Sequence, residues 1–103
     1  MKFTYENFEA EVLNSKMPVL VDFYADWCAP CRMMAPVVAA LENQFAGKVK
    51  VGKINVDDNG ETAMKYRVMS IPTLVIFKEG KAVDRIEGAV PQAMVEEKVK
   101  KHL

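Results

Sequence analysis

The run Pro18-Val19-Leu20-Val21-Asp22-Phe23-Tyr24-Ala25 leads through Asp26 and Trp27 into Cys28-Ala29-Pro30-Cys31. Its first eight residues are almost continuously apolar. A run of that kind reads as a central strand buried on both faces, the type found where helices cover both sides of a sheet. A helix is predicted next, from about Cys28 to Ala46. Met34, Val37, Val38, Leu41 and Phe45 fall at i, i+3, i+4, i+7 and i+11, which makes one apolar stripe. Gly47 suits the stop, and Pro36 inside the helix predicts a kink.

Strands and helices alternate on either side of this unit. Lys2–Tyr5 reads as a short first strand and Asn7–Leu13 as a short helix, with Asn7 as its cap and Phe8, Val12 and Leu13 on one side. After the long helix come a strand over Lys48–Asp57 and a short helix over Gly60–Tyr66. Thr73–Lys78 and Lys81–Glu87 flank Glu79-Gly80, a hairpin signal. Pro91 suits the first turn of a last helix, whose stripe is Met94, Val95, Val99 and Leu103. The order is βαβαβαββα. Strands joined through helices favour parallel pairing, and the terminal hairpin adds an antiparallel edge. The expected fold class is α/β, one mixed central β-sheet flanked by helices on both faces, as a single domain over residues 1–103.

The bulk numbers fit that reading. The chain has 103 residues, half of them hydrophobic and 27% charged, enough to bury a core without structural disulfides. Fourteen basic residues balance fourteen acidic ones, so the charge gives no reason to expect nucleic acid or an anionic membrane as partner. The basic end, Lys98-Val99-Lys100-Lys101-His102, reads as a complement to a helix dipole. No apolar run approaches the ~18 residues of a membrane span, and residues 1–16 hold no signal-peptide block. A cytoplasmic address is the expectation. There, a close cysteine pair is more often catalytic or metal-binding than a permanent staple.

Cys28 and Cys31 are three apart at a predicted helix start. In a regular helix their Cβ atoms lie about 5–6 Å apart, and a disulfide wants about 3.5–4.5 Å. Closing the bridge therefore distorts the first turn, which suits a bond that opens and closes. Free N–H groups and the positive dipole end favour a thiolate at Cys28, and the thiolate is the nucleophile. Cys31, one turn deeper, is expected to be more buried and less acidic. Cys28 then attacks a substrate disulfide and Cys31 resolves the mixed disulfide. The alternatives are a zinc knuckle and an idle pair, but zinc usually takes four ligands, the supply is two Cys and His102, and Cys-x-x-Cys near a βαβ pattern is already a redox signal. No metal and no cofactor are expected.

Asp22 is the second anomaly, a carboxylate in mid-strand where burial is costly. It is either turned to solvent or paired structurally, or it is buried with a raised pKa and able to exchange a proton with a deep thiol. Lys53, midway along an apolar strand, is its possible partner, or else a solvent-facing lysine. Ile71-Pro72 by itself reads as an ordinary strand entry, usually trans. Trp27 fits either core or docking surface. The seven methionines read as mostly core or chain start, and Met33 and Met34 need no special role.

Taken in order, these segments resemble the thioredoxin family over nearly the whole chain. The matching pieces are Pro18 to Phe23 leading to Trp27-Cys28-Ala29-Pro30-Cys31, then Pro36, Val51 to Asp57, Tyr66 to Thr73, Phe77-Lys78-Glu79-Gly80, and Gly88. The resemblance implies the thioredoxin fold and a general protein-disulfide reductase. It implies a cis Pro72 facing the cysteines, with the Ile71 backbone pairing an extended substrate segment and Gly88 leaving room for it. Trp27, Ala29, Pro30 and Ile71 would form the apolar docking surface. Asp22 would handle the Cys31 proton, with Lys53 tuning it. The implied partners are disulfide-containing proteins and a separate electron donor of the thioredoxin reductase type, with the chain itself a monomer. Two positions depart from the family's commonest pattern. Ala29 stands where Gly is most frequent, removing roughly 0.5–1 kcal/mol of backbone freedom. Tyr24 stands where many relatives carry a second Trp. The absence of a His between the cysteines argues against an oxidase or isomerase. A pure binding module using the same apolar surface is the competing reading; it would keep its activity with both cysteines replaced by Ser.

Overall fold

The computed structural model describes residues 1–103. Strand β1 (Lys2–Phe3) is followed by α1 (Tyr5–Phe8), which continues as a π-helical turn over Glu9–Leu13. Then come β2 (Val19–Tyr24), α2 (Ala29–Gln44), β3 (Lys50–Asn55), α3 (Gly60–Lys65), β4 (Thr73–Lys78), β5 (Lys81–Glu87) and α4 (Gln92–Lys100). The order is the expected βαβαβαββα. The five strands form one mixed sheet in the order β1-β3-β2-β4-β5.

β2 is central, parallel to β3 and antiparallel to β4. That last pairing departs from the expectation that helix-linked strands run parallel. The reason is length. A six-residue α3 advances only about 9 Å, less than half the span of a six-residue strand at about 3.3 Å per residue. The chain is not carried back along the sheet, and β4 starts at the edge where β3 ended. This brings the Ile71-Pro72 entry of β4 to the same sheet edge from which β2 runs out toward the cysteines.

Side-chain alternation along β2 divides the core. Val19, Val21 and Phe23 point to one face, packed with Phe3, Phe8, Val12, Ile54, Ala63, Val75 and Phe77. Leu20 points to the other, packed with Met34, Val38, Leu41, Leu74, Ile76, Val95 and Val99. Asp22 shares Leu20's face.

Four local expectations change. The cap of α1 is Thr4, not Asn7. The Thr4 hydroxyl accepts the Asn7 N–H at 3.2 Å, and the Asn7 side-chain Oδ1 accepts the Thr4 N–H at 2.8 Å, a reciprocal box that starts the helix two residues earlier. In α4 only Val95 and Val99 reach the core, while Met94 and Leu103 are exposed. Pro91 sits outside that helix as its extended N-cap. The basic C-terminal segment does more than complement a dipole: Lys98 Nζ and His102 Nε2 lie 3.2 and 3.1 Å from the Asp84 carboxylate on β5.

Candidate functional site

Cys28 and Cys31 form a disulfide with Cα atoms 5.2 Å apart. Cys28 is the N-cap of α2, with extended backbone (φ −90°, ψ 111°). The expected distortion of the first turn falls outside the helix: Cys28 stands in extended geometry just before Ala29, where α2 begins. The Cys28 Sγ accepts the Cys31 N–H at 3.2 Å, so the sulfur occupies the place where a capping oxygen would otherwise meet the free amides.

The cysteines differ in surroundings and not in depth. Each is 4% exposed, contrary to the expectation that Cys31 is the more buried. The Ile71 loop covers Cys28 as the helix covers Cys31: Cys28 Sγ lies 3.7 Å from the Ile71 carbonyl oxygen. Ala25, Tyr24, Val56 and Ile71 pack around the pair. The asymmetry is electrostatic, with Cys28 alone capping the helix.

The Ile71-Pro72 peptide is cis, as the resemblance implies and contrary to the residue-level expectation. Pro72 is buried, and its carbonyl accepts the Gly88 N–H at 2.8 Å. Gly88 has φ +87° and open space where a Cβ would stand. That conformation suits Gly, so Gly88 flanks Pro72 without a side chain.

Around this edge lies exposed apolar surface. Trp27 is 69% exposed, and Ala29 and Pro30 are also exposed. A shallow cleft is lined by Trp27, Val56, Val68, Met69, Ser70 and Ile71. Met69 is 89% exposed, and Met33 and Met64 are exposed as well. Of the seven methionines only Met34 enters the core, so the expectation of mostly buried methionines is overturned. Met33 points away from the α2 stripe that carries Met34, and Met69 sits in the loop before Pro72. The Trp27 indole N–H donates to the Asp57 carboxylate at 2.9 Å, which fixes the ring. Asp57 stands thirty residues from Trp27, and no local pattern points to it. The only signal in the sequence is its place just past the end of an apolar strand.

Asp22 is 3% exposed, and its Oδ1 has no hydrogen-bond partner. Burial raises its pKa from 3.8 to about 7, against the opposing pull of Lys53. Lys53 is its register neighbour on β3, but it is exposed and no ion pair joins them. The ammonium sits over the Tyr24 ring, 5.0 Å from the centroid. Lys53 thus acts on Asp22 through space and not as a direct partner. With Asp22 lie Ala35, Val38 and Ala39 of α2. Ala35 is one turn beyond Cys31, on the same side of the helix. The Asp22 carboxyl therefore lines a cavity under the helix side that carries Cys31, one turn further along.

The arrangement holds a two-electron dithiol/disulfide couple, a buried acid that titrates near neutrality, and an apolar edge ending in a cis-proline strand. No helix is long and apolar enough to cross a membrane. A family model described as Thioredoxin matches residues 1–101. Thioredoxin 1 of Nostoc sp. is 52% identical over 100 residues, covering 97% of this chain and 94% of the relative. The thioredoxin of Synechocystis sp. is 53% identical over 97 residues, covering 94% of this chain and 91% of the relative. A chloroplastic M-type thioredoxin of Pisum sativum is 50% identical over 92 residues, covering 89% of this chain and 54% of the relative.

Proposed function

The chain belongs to the thioredoxin family and acts as a protein-disulfide reductase by dithiol–disulfide exchange; we propose that Cys28 is the attacking thiolate and Cys31 the resolving thiol. One observation carries the assignment. The Cys28 sulfur caps α2 and accepts the Cys31 N–H at 3.2 Å, so the dipole and amide stabilise negative charge at that sulfur.

Cys28 thiolate attacks one sulfur of a target disulfide, forming a mixed disulfide and expelling the target's other sulfur as a thiolate. Cys31 loses its proton to Asp22 and attacks Cys28 Sγ. The Cys28–Cys31 bond forms, the bond to the target breaks, and the target leaves with both sulfurs reduced. A separate reductase returns two electrons to the pair. Lys53 moderates the acidity of Asp22 by its charge.

Trp27, Ala29, Pro30, Ile71, Pro72 and Gly88 form the docking edge, joined by Met69, which lines the cleft between Trp27 and Ile71. An extended target segment runs along the backbone at Ile71, and Gly88 leaves it room. The edge is built within one chain, which supports a monomer as the working unit, with residues 1–103 as one thioredoxin domain. Its compartment is the cytoplasm, where dithiols are kept reduced.

The test is capture by each single-cysteine variant of a disulfide-bonded target. Cys31→Ser should accumulate a mixed disulfide through Cys28, whereas Cys28→Ser should capture little. Equal capture by the two variants contradicts the assignment.

A further inference from the structure

A cavity of about 160 Å³ lies under α2, lined by Met1, Asp22, Ala35, Val38, Ala39, Glu42, Gly52 and Lys53. Its inner wall carries the unpartnered carboxyl of Asp22. Its rim is charged: the Met1 ammonium contacts the Glu42 carboxylate at 2.9 Å, and Lys53 is exposed beside it. A space of that size with polar groups at both ends has room for several water molecules.

The helix sequence makes this space. Cys31, Ala35, Ala39 and Glu42 recur at i, i+4, i+8 and i+11, which places them along one side of α2. Two alanines stand between the cysteine and the glutamate. From Cys31 to Glu42 the helix advances roughly 16 Å. The cavity thus opens well away from the edge where Trp27, Ile71 and Pro72 lie. Gly52 sets the floor. A Cβ there would meet the Met1 carbonyl oxygen at 2.7 Å and the Phe3 ring at 2.7 Å, so the first residues lie directly on β3 beside the opening.

A proton acceptor that cycles must also be emptied. On the reading that Asp22 takes the Cys31 proton, the target still covers the docking edge when resolution occurs. A proton on Asp22 cannot then leave on that side. We infer that the cavity under α2 is the proton path between Asp22 and solvent, with Glu42 as the positioning residue at its mouth. Glu42 acts through Asp22 by offsetting the Met1 ammonium it pairs with at 2.9 Å; without it that cation is free to favour the ionised carboxyl. The charged or titratable groups around Asp22 are Lys53 on β3, Tyr24 on β2, Cys31 and Glu42 on α2, and the Met1 ammonium ahead of β1. Leu74, its neighbour on β4, carries no charge.

The inference rests on the role proposed for Asp22, and the experiment separates the two. The full-length protein is studied in single turnover with a disulfide-bonded protein and with a small aromatic disulfide, between pH 6 and 7. Ala39→Leu narrows the path at an exposed helix position. It should slow resolution with the protein target about tenfold, and with the small disulfide, which leaves the edge open, less than about twofold. Glu42→Gln should move the Asp22 titration midpoint, read from its carboxyl NMR signal, down by about half a pH unit. Glu97→Gln, an equal charge change on α4, should not move it. Equal slowing of both targets by Ala39→Leu, or no slowing of either, overturns the path. A midpoint that stays fixed in Glu42→Gln overturns the role of Glu42. If Asp22→Asn itself leaves resolution unchanged, the underlying assignment fails, and with it the need for a path.

Discussion

The two faces of the sheet are made by the same strands and packed differently. On the face toward α1 and α3, Phe3, Phe8, Phe23 and Phe77 fill the space. Phe8 and Tyr66 meet the Phe77 ring edge-on, with centroids 5.6 and 4.9 Å apart. On the face toward α2 and α4, the apolar series Leu20, Leu74 and Ile76 is interrupted by Asp22. One face maximises apolar burial and aromatic edge contacts. The other gives up part of that burial to hold a carboxyl whose pKa is about 7. Since β2 alternates between the faces, one residue changes one face without disturbing the other. On the proposed mechanism, stability and proton chemistry are carried by opposite sides of one strand.

Mutations that act on one face alone sharpen this contrast. Phe77→Ala on the apolar face should lower stability by about 3–5 kcal/mol, read by denaturant unfolding. The exchange rate per folded molecule should stay near wild type. A matching loss of rate would mean that the faces are coupled.

Asp22→Asn should act in the opposite sense. The folded pKa of about 7 lies above the reference 3.8. The contribution of Asp22 to stability is thus fully present below about pH 4 and is lost as pH rises through 7. Above pH 8 the ionised carboxyl costs about 4 kcal/mol. Asp22→Asn should therefore be more stable than wild type at pH 8 by a gain of that order, fading to nothing near pH 4. A pH-independent difference would place the effect in packing and not in ionisation.

The smallest effect concerns the docking edge. Removing the Asp57 carboxylate frees the Trp27 indole, a loss of about 1 kcal/mol for one hydrogen bond. Asp57→Ala should raise KM for protein targets about fivefold and leave the rate of attack on a small disulfide unchanged. Equal effects on both substrates would move Asp57 into the chemistry.

The parts of the site that were legible in the sequence are those that break a local pattern. Asp22 stands out because a carboxylate in an apolar strand has no cheap explanation. Cys28 and Cys31 stand out by spacing, and the strand–helix order followed from apolar periodicity. What was not legible depends on distance in space. The direction of β4 hinges on how far a six-residue α3 reaches. The equal burial of the two cysteines comes from the Ile71 loop, forty residues downstream of Cys31. Asp57 and Met69 join Trp27 only once β3 and β4 are paired on either side of β2. The distinction between Thr4 and Asn7 as cap needed the reciprocal bonds themselves, since both residue types cap helices well.

The proposed role of Asp22 is to take the proton that Cys31 must lose. It is tested by the rate at which Cys31 releases a protein target from Cys28, measured from pH 6 to 9 in wild type and in Asp22→Asn. The wild-type profile should inflect near pH 7, and the Asn profile should be slower by about a hundredfold with no inflection there. Superimposable profiles would contradict it.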